Sequence, residues 1–145
     1  MGKRYSYGER LKIEYFKCRI KELNYLKYEV RIIQEEIDEI TYSINKSNTS
    51  IIYISNDQTN INSQNEKWNK LIDKKDQLLR KLEFFNKEIR YINNILDSLA
   101  PITRDMVIDL FIEKYTSEKV KDKYFVSNPY QAINDELRYL DIDKF

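Results

Sequence analysis

The chain has 145 residues, 34% of them charged, with two glycines, two prolines, one cysteine and no histidine. Its length suits one domain with a small appendage. A lone cysteine excludes an internal disulfide, the missing imidazole removes the commonest general base, and no apolar run approaches the roughly 18–20 residues of a membrane span.

The net charge is +1, but it is unevenly spread. Residues 1–31 carry nine Lys/Arg against four Glu, and residues 101–145 carry seven against nine acidic groups. A basic arm can serve a polyanionic partner even in a near-neutral protein. No signal-peptide core is present, so the expected location is the cytoplasm.

The first predicted helix runs from about Tyr7 to Ile44. Leu23, Leu26, Val30, Ile33, Ile37, Ile40 and Ile44 repeat in steps of three and four, a seam along one side of a helix. Ile13, Phe16 and Ile20 continue it upstream, with a repeated three-residue step near Leu26. Residues 45–63 are polar and rich in turn formers, apart from the β-prone run Ile51-Ile52-Tyr53-Ile54. They are expected to form a long loop, with a few extended residues.

A second helix is expected from about Asn65 to Leu99. Trp68, Leu71, Lys75, Leu78, Leu82, Phe85, Ile89, Ile92, Leu96 and Leu99 hold the same rhythm, with Ile72, Leu79 and Ile95 widening the apolar face. Two helices of similar length joined by a loop make an antiparallel coiled-coil-like hairpin, residues 1–99. The widened face points to more than two helices meeting, hence a homodimer or higher oligomer.

Ala100-Pro101 punctuates the chain, and residues 100–145 form the expected head. Ile102 to Tyr115 makes one helix and Ser117 to Tyr124 a second. Phe125-Val126-Ser127 is a turn, and Asn128 caps a third helix with Pro129 at its first position. The fold class is therefore all-α, a long hairpin followed by a three-helix, helix-turn-helix-like head. In a helix-turn-helix the second helix meets base edges with its N-terminal residues. Here these are Asn128, Tyr130, Gln131 and Asn134, amides suited to adenine and an aromatic ring. Lys119, Lys121, Lys123 and Arg138 are candidates for phosphates. A plainer alternative is a three-helix cap on the coiled coil.

The stretch NNILDSLAPITRDMVIDLFIEKYTSEKVKDKYFVSNPYQAINDELRYL, with Ile95 to Leu140 as its body, resembles the sigma-factor region-four-like heads of phage late-gene regulators of the RinA, ArpU and LtrC type. The resemblance implies a DNA-binding transcriptional regulator, docking double-stranded promoter DNA and contacting RNA polymerase. It assigns Ser117 to Tyr124 as support helix and Asn128 to Leu140 as recognition helix. The sequence departs from that pattern at Lys121, where a small residue is usual, and at Phe125, where glycine is usual.

Lys3 and Arg4, interleaved with Tyr5 and Tyr7, are further candidates for nucleic-acid contact. Lys17, Arg19 and Lys21 are read as the solvated outer face of a helix, as are Glu35, Glu36, Asp38 and Glu39. No catalytic residue, metal site or cofactor is expected, since neither a glycine-rich phosphate loop nor a partnered nucleophile is present. Two other functions fit the pattern: a protein-interaction module acting as inhibitor or adaptor, and a small DNA-packaging subunit.

Overall fold

The computed structural model describes the backbone of residues 5–53 and 58–145 and the side chains of residues 5–46 and 65–145. Among the described residues every regular element is helical. Helix α1 (Tyr7–Lys21) opens on a capping box. Ser6 Oγ accepts from the Glu9 amide at 3.1 Å, and the Glu9 carboxylate accepts from the Ser6 amide at 3.3 Å. Two orphan donors of the first turn are satisfied reciprocally.

Glu22 separates α1 from α2 (Leu23–Tyr53), so the helix expected from Tyr7 to Ile44 is two helices. The break falls within the repeated three-residue step Ile20, Leu23, Leu26. Two short steps in a row rotate the seam, and a local interruption keeps its apolar side facing inward. The loop expected at 45–63 also gives way to helix, because α2 continues to Tyr53 and α3 (Gln58–Asp97) resumes four residues on. The β-prone Ile51, Ile52 and Tyr53 have helical backbone. Asn, Ser and Thr are weak helix formers but not breakers, and the stretch contains no glycine or proline. Residues 54–57, Ile54 among them, lie outside the described residues.

Two compact units emerge, and their boundary lies within α2 and α3 rather than between residues 99 and 100. The first unit, Lys27–Lys87, is a helical hairpin. Ile33, Ile37 and Ile40 of α2 are buried, whereas Leu71, Leu78, Leu82 and Phe85 of α3 are half-buried and Leu79 and Phe84 exposed.

The second unit joins the described chain up to Leu26 with Glu88–Phe145. It contains α1, the end of α3, α4 (Pro101–Val107), a π-helical turn (Ile108–Ile112), α5 (Ser117–Tyr124), α6 (Pro129–Leu137) and a closing 3-10 turn (Ile142–Lys144). Its core takes Ile13, Phe16 and Ile20 from α1, Ile92 and Ile95 from α3, Met106 and Val107 from α4, Val120 from α5, and Ile133 and Leu137 from α6. The expected head therefore does not stand alone, because α1 packs against both α6 and the π-helical turn.

The π-helical turn is closed by the Glu113 amide on the Ile108 carbonyl at 2.8 Å. Its wider turn narrows the angle between successive side chains, so Asp109, Leu110 and Phe111 are all buried. Helix α4 has alanine at its N-cap and no side-chain cap of its own sequence. Glu136 of α6 supplies one: its carboxylate accepts from the Ala100 amide at 2.8 Å and from the Thr103 hydroxyl. A carboxylate there also meets the positive end of the helix dipole.

Helix α5 begins at Thr116, whose hydroxyl accepts from the Lys119 amide, and ends at Phe125 in the left-handed region, φ 56°. Phe125 is 94% exposed, so its ring gains nothing from packing.

Two stability outcomes follow. Glu136→Ala is expected to cost about 1–3 kcal/mol, because α4 loses its cap and the buried Thr103 hydroxyl loses its acceptor. Phe125→Gly is expected to stabilise by about 1 kcal/mol, the left-handed conformation being free of cost for glycine. Urea midpoints at unchanged slope measure both.

Candidate nucleic-acid interface

An eight-residue helix, a turn and a nine-residue helix stand where the helix-turn-helix was expected. The turn is set locally. Phe125 takes the left-handed conformation, and Asn128 closes α6 by accepting from the Gln131 amide at 3.1 Å, with Pro129 at the first helical position. Helix α6 packs on α1, α4 and α5.

The sequence-selected residues divide along α6. At its N-terminal end Asn128 and Tyr130 are exposed and Gln131 is half-buried. Tyr130 sits 6.2 Å, centroid to centroid, from Phe111 of the π-helical turn. Asn134 is half-buried, and its carboxamide oxygen is buried without a hydrogen-bond partner.

Arg138 lies about 15 Å along the helix axis from Asn128, at the C-cap. It is held within the fold. Its guanidinium donates to Tyr139 Oη at 2.6 Å, stacks over Tyr5 and Tyr139 at 5.5 and 4.6 Å from the ring centroids, and lies 3.8 Å from the Glu9 carboxylate. Tyr5 in turn donates to Asp135 at 2.7 Å. Burial and that hydrogen bond push the Tyr5 phenol up to about 12.

The lysines of α5 differ among themselves. Lys119 is exposed, its ammonium 3.9 Å from the Tyr115 ring centroid. Lys121 pairs with Glu118 at 3.4 Å. Lys123 donates to the buried Asp109 at 2.8 Å, and Tyr124 donates to the same carboxylate oxygen at 2.6 Å. This triad fastens α5 to the π-helical turn. Lys3 and Arg4 lie outside the described residues.

Helix α1 brings cations that sequence reading treats as a solvated face. Lys17 Nζ stands 6.0 Å from the Tyr130 ring centroid and Lys21 Nζ 5.3 Å from that of Phe111. Arg19 is spent elsewhere, paired with Glu88 and Glu22 and stacked 5.3 Å over Tyr91. These contacts line a cleft of about 270 Å³ formed by Tyr15, Arg19, Glu88 and Tyr91, whose guanidinium charge is matched within the fold. The i, i+4 spacing of Lys17 and Lys21 was readable as a shared face; the aromatic neighbours from residues 111 and 130 were not.

Among the described residues no group of three His, Cys, Asp or Glu side chains is placed to hold a metal ion. No described helix is long and apolar enough to cross a membrane.

No family model matches the chain, and no solved structure matches it. The chain is 27% identical over 118 residues to a serine–tRNA ligase of Wigglesworthia glossinidia brevipalpis, an alignment covering 79% of this chain. The chain spans 27% of that ligase's length.

The Asp109 triad has a pH signature. Burial raises its carboxyl, but the hydrogen bonds from Lys123 and Tyr124, with the charges of Lys123 and Lys119, outweigh that and hold it below its ordinary 3.8. A depressed carboxylate contributes stability above its unfolded pKa and loses it as pH falls through the folded value. Asp109→Asn is therefore expected to be less stable than the parent at about pH 7, with the gap closing as pH falls below 3.8. Urea melts of both proteins across that range provide the check.

Proposed function

We propose that the chain is a DNA-binding transcriptional regulator of a phage or mobile element, docking promoter DNA through the N-terminal end of α6. The observation that carries this reading is the α5–turn–α6 arrangement, with Asn128 and Tyr130 turned to solvent, Gln131 half-exposed and Lys119 on the flanking helix. In such a motif those N-terminal positions face base edges in the major groove. Glutamine is suited to a bidentate contact with adenine. The resemblance to phage late-gene regulators points the same way and adds RNA polymerase as a second partner. The reading calls for no catalysis and no cofactor, and its natural setting is the host cytoplasm.

A second reading has its own observation. Leu79 and Phe84 of α3 are exposed beside a half-buried seam in the Lys27–Lys87 unit. Such a face suits a protein partner, whether a second copy or the target of an inhibitor or adaptor. The two readings are compatible if the hairpin joins copies and the other unit meets DNA.

Binding of the purified protein to duplexes from its own genomic neighbourhood, followed against salt, tests the first reading. One duplex should bind more tightly than the rest, with affinity falling as salt rises. Gln131→Ala should cost about 1–3 kcal/mol on that duplex and little on the others. Arg138→Ala should lower the urea midpoint while leaving the salt slope unchanged, since its guanidinium is held by Tyr5, Tyr139 and Glu9. Absence of binding at low salt, with a stoichiometric protein complex instead, would establish the second reading.

A further inference from the structure

Most cations of the Glu88–Phe145 unit that were candidates for phosphate are engaged. Arg138 and Lys123 are tied to Glu9 and Asp109, and Lys121 to Glu118. Lys17 and Lys21 of α1 are not tied in this way. Among the described residues Lys21 has no ion-pair partner, and Lys17 has only Glu14, on the same helix at 4.0 Å. The two lysines are one helical turn apart, where like charges repel.

Their setting is an aromatic step. Phe111 of the π-helical turn and Tyr130 of α6 lie 6.2 Å apart, and each carries one of the ammonium groups near its ring. The rings hold the ammonium groups in place by attraction to the ring faces, without neutralising them. Tyr130 is also exposed, with Asn128, at the N-terminal end of α6, so both charges stand beside the surface assigned to base contact.

Resting on the DNA-binding reading above, we infer that Lys17 and Lys21, seated on Tyr130 and Phe111, contact backbone phosphates of the bound duplex and make α1 the clamp of the helix-turn-helix. The like charges of the pair are then relieved by the ligand rather than by the fold. Burial already lowers the Lys17 ammonium below its ordinary range, with the Lys21 charge adding to this and Glu14 partly opposing it. A phosphate oxygen supplies the missing counter-charge. The contact carries no sequence information; it fixes register while Asn128 and Gln131 read bases.

The test compares the parent, Lys17→Ala/Lys21→Ala and Lys17→Arg/Lys21→Arg by fluorescence anisotropy on the preferred duplex and on a scrambled one, across about 50–200 mM salt. The double alanine variant should lower the slope of log affinity against log salt by about 1.8, which is about 0.9 per phosphate contact. It should weaken both duplexes by the same factor, and the double arginine variant should restore the slope. Lys21→Ala alone, at an exposed site, should remove about half of it, which guards against a folding defect in the pair. Parent binding with an unchanged slope in the alanine variants overturns the clamp and leaves the regulator reading standing. No parent binding at low salt, or tighter binding to a tRNA than to any duplex, overturns both.

Discussion

Phe16 links segments that are far apart in the chain. Its ring is completely buried, edge-on to Phe145 at 6.0 Å and to Tyr15 at 5.4 Å, and Phe145 in turn meets Tyr91 at 6.1 Å. Ile13 and Ile20, on the same side of α1, are buried with it. Truncating such a side chain costs about 3–5 kcal/mol, a large part of the stability of a small unit. Once this stripe is seated, the rest of α1 has no freedom. Tyr5 and Glu9 fall beside the C-terminal end of α6, Lys17 beside its N-terminal end, and Lys21 beside Phe111 of the π-helical turn. Contacts of this kind span up to 130 residues, so the unit closes only when both segments are available.

Three carboxylates of this unit, one buried and two half-buried, act as cross-links between segments. Glu136 caps α4 from α6, Asp109 draws Lys123 and Tyr124 of α5 onto the π-helical turn, and Asp135 receives the Tyr5 phenol. Each carboxylate is satisfied by donors from a different element. A carboxylate with its hydrogen bonds made specifies a packing, whereas an unpaired one at the same depth would oppose it. This explains how short helices of seven to nine residues, marginal in isolation, are held in a fixed arrangement.

Features decided by nearest neighbours in the chain were legible from residue types. Asn128-Pro129 at the start of α6, the turn at Phe125 and the punctuation at Pro101 all appear where local chemistry places them. The interruption at Glu22 had a signal in the double three-residue step, though its meaning as a break was not evident. Residues 45–53 are helical rather than loop, because turn-forming side chains are only mild opponents of a helix that no glycine or proline stops. What could not be read was pairing across the chain. Nothing local says that Arg138 stacks between Tyr5 and Tyr139, or that Lys17 finds Tyr130. The division at residue 99 was drawn for the same reason, since a boundary placed by punctuation cannot see that α1 completes the C-terminal bundle.

That long-range closure bears on the chief objection to a DNA-binding head. Taken alone, residues 101–145 carry more acidic than basic groups. The physical unit is different: residues 1–26 and 88–145 together hold fifteen Lys/Arg against fourteen Asp/Glu. Placement matters more than the total. Asp135 and Glu136 lie on the part of α6 that is committed to α1 and α4, and Asp109 faces Lys123 inside the bundle. Lys17, Lys21 and Lys119 stand by aromatic rings, and among the described residues only Lys17 of the three has a carboxylate within ion-pair distance, Glu14 of its own helix at 4.0 Å. Field strength at a surface is set by the charges nearest to it, and screening removes those more than about 10 Å away. Helix α6 therefore has two ends of different character. Its C-terminal half is consumed in holding the fold, and its N-terminal end is left with amides, an aromatic ring and cations supplied by a helix from the other end of the chain.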